Sequence, residues 1–220
     1  MGSILTNRLT SELIKASNIR AYTKGQTILY PHDNLAHLYV VKSGAVMMHD
    51  IDDAGNRKIL YTFGPPTLFP MVSFLENTAQ SAWFYTTLVD TEVYVIPYEQ
   101  FKEKLQDKKS YEAYNAILRQ ALKEVHELLL HITDHVKTDS TEKIISMLLF
   151  LMTYHTKAAS KAWRPVLFPV SHQLMAEMTG LTRETVTLIM KELTEKKLVR
   201  YPSKAVLELN YNNLCKQKHA

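Results

Sequence analysis

Residues 170–191 read Val170-Ser171-His172-Gln173-Leu174-Met175-Ala176-Glu177-Met178-Thr179-Gly180-Leu181-Thr182-Arg183-Glu184-Thr185-Val186-Thr187-Leu188-Ile189-Met190-Lys191. Ser171 is a natural cap for a short helix whose apolar side is Leu174, Met175 and Met178. Ala176 is small where two helices must cross closely. Gly180, four residues on, supplies a positive φ that other residues adopt only at a cost. Thr182 caps a second helix, with Val186, Ile189, Met190 and Leu193 turned inward. This spacing suits two helices packed steeply around a tight turn, a helix-turn-helix spanning about His172 to Lys191.

The second helix then has an outer face of Arg183, Glu184, Thr187, Leu188 and Lys191. In a helix-turn-helix that face enters the major groove, where arginine can bond guanine O6 and N7. Ser171, His172, Gln173 and Thr182 complete the candidate DNA-binding set. An ordinary helical hairpin with a solvated polar face would show the same local pattern. The downstream residues favour the first reading. Glu195-Lys196-Lys197-Leu198-Val199, Tyr201-Pro202-Ser203-Lys204 and Ala205-Val206-Leu207-Glu208-Leu209 read as a β-hairpin, the wing of a winged variant. Its Lys196, Lys197 and Lys204 would lie near backbone phosphates.

Upstream, Asp139-Ser140-Thr141-Glu142 is a helix start with capping-box spacing. A helix over Glu142–Lys157 is expected, then a loop and a short strand at Val166-Leu167-Phe168 before Pro169. The polar stretch Asp134–Thr141 is the candidate hinge. From Tyr98 to His135 there is neither glycine nor proline after the strand end at Pro97. Tyr111, Tyr114, Leu118, Ala121, Val125, Leu128, Ile132 and His135 alternate spacings of three and four, the register of a coiled-coil seam. Ile117, Leu122, Leu129 and Val136 widen the stripe, so the helix can face its own domain on one side and a second copy on the other; a long helix buried once, against its own domain, is the alternative.

From Ala21 to Pro97 the chain reads as short strands punctuated by turns. Thr27–Tyr30, Leu38–Val41, Ala45–Met48, Lys58–Phe63, Ala82–Val89 and Glu92–Ile96 are separated by Pro31-His32-Asp33-Asn34, Ser43-Gly44 and the hairpin loop Asp52-Asp53-Ala54-Gly55-Asn56. Strands so short and regular suggest an antiparallel barrel or roll. The fold class is α+β, in three parts: a β-roll sensor over 1–97, a dimerisation helix and hinge over 98–138, and a winged helix-turn-helix over 139–220.

Bulk composition agrees. The 220 residues are 46% apolar, enough for packed cores. The longest apolar runs, such as Met147–Met152, are too short to span a bilayer, and no secretory signal opens the chain. Cys215 is the only cysteine and sits in a Lys-flanked polar tail, so neither an internal disulfide nor a cysteine metal site is expected. A cytoplasmic location and no membrane partner follow as expectations. Residues 136–220 hold 13 Lys+Arg against 7 Asp+Glu, a net of +6, whereas residues 1–135 hold 13 against 15, a net of −2. A basic C-terminal third on a near-neutral body fits a phosphate-bearing partner. Paired catalytic carboxylates, a Gly-x-Ser-x-Gly nucleophile, a phosphate loop and a metal-ligand cluster are all missing from the sequence, so no enzyme is expected.

With these parts in order the chain resembles the Crp/Fnr family of bacterial transcription regulators over roughly residues 15–213. The resemblance rests on Lys24-Gly25-Gln26-Thr27-Ile28, Tyr39-Val40-Val41-Lys42-Ser43-Gly44, Asp53-Ala54-Gly55-Asn56-Arg57-Lys58-Ile59-Leu60 and Leu181-Thr182-Arg183-Glu184-Thr185-Val186. It implies a homodimer on a two-fold related double-stranded DNA site, with RNA polymerase as a further partner.

Two departures carry weight. Where the resemblance places the ribose-binding Glu and the phosphate-binding Arg of cyclic-nucleotide-binding members, this chain has Met71 and Gln80. Removing the only cation from a buried phosphate site costs several kcal/mol. Poor binding of cAMP and cGMP is therefore expected, and no cofactor is. The N-terminal cysteine cluster of the oxygen-sensing branch is missing as well. By resemblance Tyr61, Phe63, Phe69, Met71, Gln80, Ser81, Trp83, Phe84 and Tyr85 lie near the effector cavity. Such a lining suits a hydrophobic or aromatic small molecule, or else the side chains simply fill the barrel. Haem is a third reading, although no histidine spacing singles out an axial ligand.

The recognition helix also departs from the pattern. Arg183 and Glu184 match the first two base readers, but Leu188 stands where the third, usually arginine, would be. Leucine cannot donate to guanine and can touch a thymine methyl. The competing class is an effector-binding module whose helical domain meets protein rather than DNA.

Overall fold

The computed structural model describes residue 14 and residues 17–106, 111–136, 139–153, 162–166, 168–203 and 206–218. It divides into two compact units, Met1–Asp50 with Tyr61–Glu127, and Ile51–Leu60 with Leu128–Ala220. This division differs from the boundaries expected above. A ten-residue hairpin tip groups with the C-terminal unit, and the long helix is divided at Glu127 rather than left as its own segment.

The first unit is built on two four-stranded antiparallel sheets. Strands β1 (Asn18–Tyr22), β2 (Thr27–Leu29), β3 (His37–Ser43), β4 (Val46–Ile51), β5 (Arg57–Phe63), β6 (Leu68–Phe69), β7 (Phe84–Thr87) and β8 (Thr91–Pro97) pair in the orders β1-β8-β3-β6 and β2-β7-β4-β5. In β3, Leu38, Tyr39, Val40 and Val41 are all buried, paired on one edge with β8 and on the other with β6. Gly44 has φ +87, and a Cβ there would clash with Thr91 Oγ1 and the Asp90 carbonyl, so the turn leaving β3 demands glycine twice over. The expected Ala82–Val89 strand shortens to β7. A helix that periodicity did not reveal, α1 (Met71–Leu75), follows β6. Its Phe74 ring meets both Tyr98 and Phe101 edge-on at 5.1 Å, anchoring helix α2 (Tyr98–Gln106).

Helix α3 (Tyr111–Val136) buries Ala113, Ile117, Ala121, Glu124 and Glu127. Its other side exposes Tyr111, Tyr114, Leu118, Leu122, Val125, Leu129 and Ile132. Five of the eight expected seam residues, Tyr111, Tyr114, Leu118, Val125 and Ile132, stand in that exposed stripe. Ala121 does not: it is 5% exposed and packs inward, and Leu128 is half-buried. Leu122 and Leu129 take their places. The reason is geometric: a helix of 3.6 residues per turn drifts from a 3.5-residue repeat, and the small Ala121 is what lets the backbone approach its own unit.

The second unit contains α4 (Ser140–Thr153), β9 (Trp163–Pro165), α5 (His172–Thr179), α6 (Arg183–Glu195), β10 (Val199–Ser203), β11 (Val206–Asn210) and α7 (Tyr211–Lys218). Asp139 Oδ1 accepts from the Glu142 amide at 2.8 Å, the expected cap. Both ends of the expected hinge are helical, since α3 runs to Val136 and α4 begins at Ser140. The strand expected at Val166–Phe168 lies three residues earlier, at β9, which joins a sheet of order β10-β11-β9. The expected polar tail is instead helix α7, whose Leu214 is fully buried while Cys215 is half-buried. Leu167, Lys204, the end of the expected helix at Lys157 and the side chain of His135 lie outside the described residues. Ile144, Leu148, Leu151, Met175, Val186, Met190, Leu193 and Leu209 form the core. Within this unit Arg57 of the hairpin tip reaches Glu177 of α5, Nε to Oε2, at 2.8 Å.

Candidate nucleic-acid interface

The helix-turn-helix is assembled from local capping. Ser171 Oγ accepts from the Leu174 amide at 3.1 Å and starts α5. Gly180 ends it at φ 70, its amide returning to the Ala176 carbonyl at 2.8 Å. Thr182 Oγ1 then accepts from the Thr185 amide at 3.2 Å and starts α6. Val186, Ile189, Met190 and Leu193 are buried, as expected from their spacing.

What remains outside is one continuous face. Arg183, Glu184, Thr187, Leu188 and Lys191 are all exposed, Leu188 at 70%. An apolar side chain so open on an otherwise polar face has no packing role within its own unit. Gln173 is also exposed, with its amide on Glu177 at 3.1 Å. His172 is half-buried, its Nδ1 lying 2.9 Å from Thr187 Oγ1 and its Nε2 3.5 Å from Tyr201 Oη. Burial, reinforced by the Arg183 charge, lowers the His172 pKa, so the ring is held toward its neutral form. The structure thus places all nine expected DNA-binding residues on α5, α6 or their caps.

Beside this face lies the wing. Strands β10 and β11 pair Val199 with Leu209 and Arg200 with Glu208, with a register shift before Ser203. Arg200 Nε bonds Glu208 at 2.6 Å and its guanidinium lies 4.4 Å from the centre of the Trp163 ring, so this arginine is committed to the fold. Lys196 pairs with Glu192 at 2.6 Å, one turn earlier. Tyr201 was not among the expected site residues; only its place on the first wing strand pointed to it.

The expected effector residues separate into two groups. Tyr61, Phe69 and Met71 are buried in the roll, and Ser81 is buried with its Oγ donating to the Trp83 carbonyl at 2.8 Å. Gln80 and Trp83 are not inside. Gln80 is exposed and bridges backbone to Asn34, and Trp83 is 36% exposed. Trp83 precedes β7 and so escapes its alternation; within the strand Tyr85 turns inward while Phe84 stacks on His49 at 5.0 Å. Phe69 contacts Tyr39, Phe63 and Tyr85 with ring centres 5.3–5.4 Å apart, so the roll carries a contiguous aromatic core.

Two buried carboxylates that the sequence reading missed close this core from α3. Tyr61 donates to Glu127 Oε2 at 2.5 Å, and the Gln120 amide donates to Glu124 Oε1 at 2.9 Å. Burial pushes Glu124 up to about 8, partly opposed by the Gln120 bond, and raises Glu127 against the nearby Lys123 charge. The available signal was the inner stripe Ala113, Ile117, Ala121, which one further turn extends onto Glu124.

Known proteins agree with this architecture. Residues 19–108 match the cyclic nucleotide-binding domain family and residues 142–216 match the Crp-like helix-turn-helix domain family. The global nitrogen regulator of Synechococcus elongatus is 23% identical over 200 residues, covering 90% of this chain and 89% of that protein. The cyclic AMP receptor protein of Thermus thermophilus is 27% identical over 186 residues, covering 82% and 79%. Among solved structures, FixK2 of Bradyrhizobium japonicum superposes with a TM-score of 0.79 at 17% identity, covering 93% of this chain and 98% of that one. Among the described residues no helix is long and apolar enough to cross a membrane. The fold and the relatives are those of regulators rather than enzymes, and the chain belongs to the Crp/Fnr family of DNA-binding transcription regulators.

Proposed function

We propose that this regulator works as a cytoplasmic homodimer whose two α6 helices read a two-fold related DNA site. The observation that carries the reading is the exposed face of α6, where Arg183 and Glu184 precede an unpacked Leu188. Arg183 donates to guanine O6 and N7, Glu184 accepts from cytosine N4, and Leu188 rests on a thymine methyl. Each half-site then holds one G·C pair read by the charged residues and an A·T pair under Leu188. Selection from random duplexes tests this; a second invariant G·C pair under Leu188 overturns it. Affinity should also fall steeply with salt, because phosphate neutralisation releases counterions. A salt-independent complex, or none, would favour a protein partner instead.

Dimerisation is supported by the exposed stripe of α3 from Tyr111 to Ile132, seven large apolar side chains on one helix face. Sedimentation of the full chain tests it.

The ligand of the roll, in this reading, is not a cyclic nucleotide. Tyr61, Phe69, Met71 and Ser81 offer no cation to a buried phosphate, and Gln80 at the roll edge offers none either. Titration calorimetry with cAMP and cGMP should show no heat of binding at micromolar ligand. A hydrophobic or aromatic effector fits the aromatic core better, and contact with RNA polymerase completes the proposed role.

A further inference from the structure

Three side chains from three elements meet beside the recognition face. His172 opens α5, Thr187 lies on α6 and Tyr201 on β10. His172 Nδ1 is 2.9 Å from Thr187 Oγ1, and His172 Nε2 is 3.5 Å from Tyr201 Oη. Thr187 Oγ1 also donates to the Arg183 carbonyl, one turn back in α6, at 2.8 Å.

A hydroxyl carries one proton. Thr187 commits its proton to the Arg183 carbonyl, so only lone pairs remain to face the imidazole. With the Thr187 proton so placed, the hydrogen between the two groups is the one on His172 Nδ1. A neutral imidazole has a single N–H, which leaves Nε2 bare and able only to accept, and Tyr201 is the donor in reach. The four groups form a directed chain: Tyr201 hydroxyl to His172 Nε2, His172 Nδ1–H to Thr187 Oγ1, Thr187 hydroxyl to the Arg183 carbonyl. It begins on the wing and ends on the backbone of the residue proposed to read guanine.

We infer that His172 is a positioning residue for base reading, which as the Nδ1–H imidazole ties the wing strand to the recognition helix and sets the approach of Arg183. This inference rests on the DNA reading above. A phosphate contact alone would raise affinity for every duplex equally. A residue that orients Arg183 instead alters discrimination at the pair Arg183 reads, because a bidentate arginine tolerates little misalignment.

The test has two arms on the full-length chain. In the first, long-range proton–nitrogen spectra of the free protein, with His172 assigned through His172→Gln, report which ring nitrogen is protonated. Nδ1–H is expected, shifting toward the Nε2–H form in Thr187→Val; an Nε2–H ring in the unmutated chain overturns the proposal. In the second, affinity is compared between the selected duplex and one with the Arg183-read pair exchanged. His172→Ala should lower that ratio by about three- to tenfold, the worth of one neutral hydrogen bond. His172→Asn, whose amide can still donate near the Nδ1 position, should restore most of it. Equal loss on both duplexes in His172→Ala reduces His172 to a phosphate contact and overturns the positioning role. If the unmutated chain prefers no duplex at all, it is the DNA reading that fails, while the spectra still judge the chain of bonds.

Discussion

Tyr61 of β5 donates its hydroxyl to Glu127 of α3 at 2.5 Å, joining the aromatic core of the roll to the helix whose opposite face carries the apolar stripe. The bond is short, as charge-assisted hydrogen bonds are. Tyr61→Phe removes this donor from a buried carboxylate whose Oε1 also lies 3.4 Å from Lys123 Nζ. We expect a loss of about 1–3 kcal/mol in denaturant unfolding. Glu127→Gln in the Tyr61→Phe background should recover part of it, since the buried charge is then gone.

Glu124 makes the fold sensitive to alkali. Its pKa is raised by burial to about 8, so between the ordinary carboxylate range and that value the native chain keeps a proton that the unfolded chain gives up. The native state then binds more protons than the unfolded state, and stability falls as pH rises through this window and levels off above it. One such proton gives a slope of up to about 1.4 kcal/mol per pH unit. Glu124→Gln should flatten the dependence of melting temperature on pH between 5 and 8; an unchanged slope would remove Glu124 as its source.

The two faces of α3 predict opposite phenotypes from neighbouring positions. Leu122→Glu charges the exposed stripe and should yield a folded monomer by sedimentation and circular dichroism. Ala121→Glu puts a carboxylate at a site only 5% exposed and should instead lower the melting temperature sharply. A seam containing Ala121 would make that variant the monomeric one.

Gly180 turns at φ 70 between α5 and α6. Alanine there adopts the left-handed region at a cost of about 1–2 kcal/mol. Gly180→Ala should lower the stability of the second unit by that amount and weaken DNA binding with it, measured by thermal melting and gel shift.

Leu188→Arg supplies the donor that Leu188 lacks. Selection with this variant should return G·C at the position where the unmutated chain returns A·T, with each exchange worth about 1–3 kcal/mol. An unchanged preference would place Leu188 away from the bases.

Features settled within about four residues were legible in the amino-acid order alone. Ser171, Gly180 and Thr182 each satisfy or terminate a helix through an adjacent amide or their own φ, so the helix-turn-helix was legible before any tertiary contact was known. The alternation of short strands and turns disclosed the roll for the same reason. Which side of α3 faces inward was a matter of packing, because Ala121 and Leu122 are both apolar and the choice depends on what the roll presents. The tertiary structure likewise decided that Trp83 faces out and that Glu124 and Glu127 face in. Glu127 meets Tyr61 across 66 residues of chain, and His172 meets Tyr201 across 29, distances over which no local pattern carries information. Packing, which sums many weak contacts at once, made those choices.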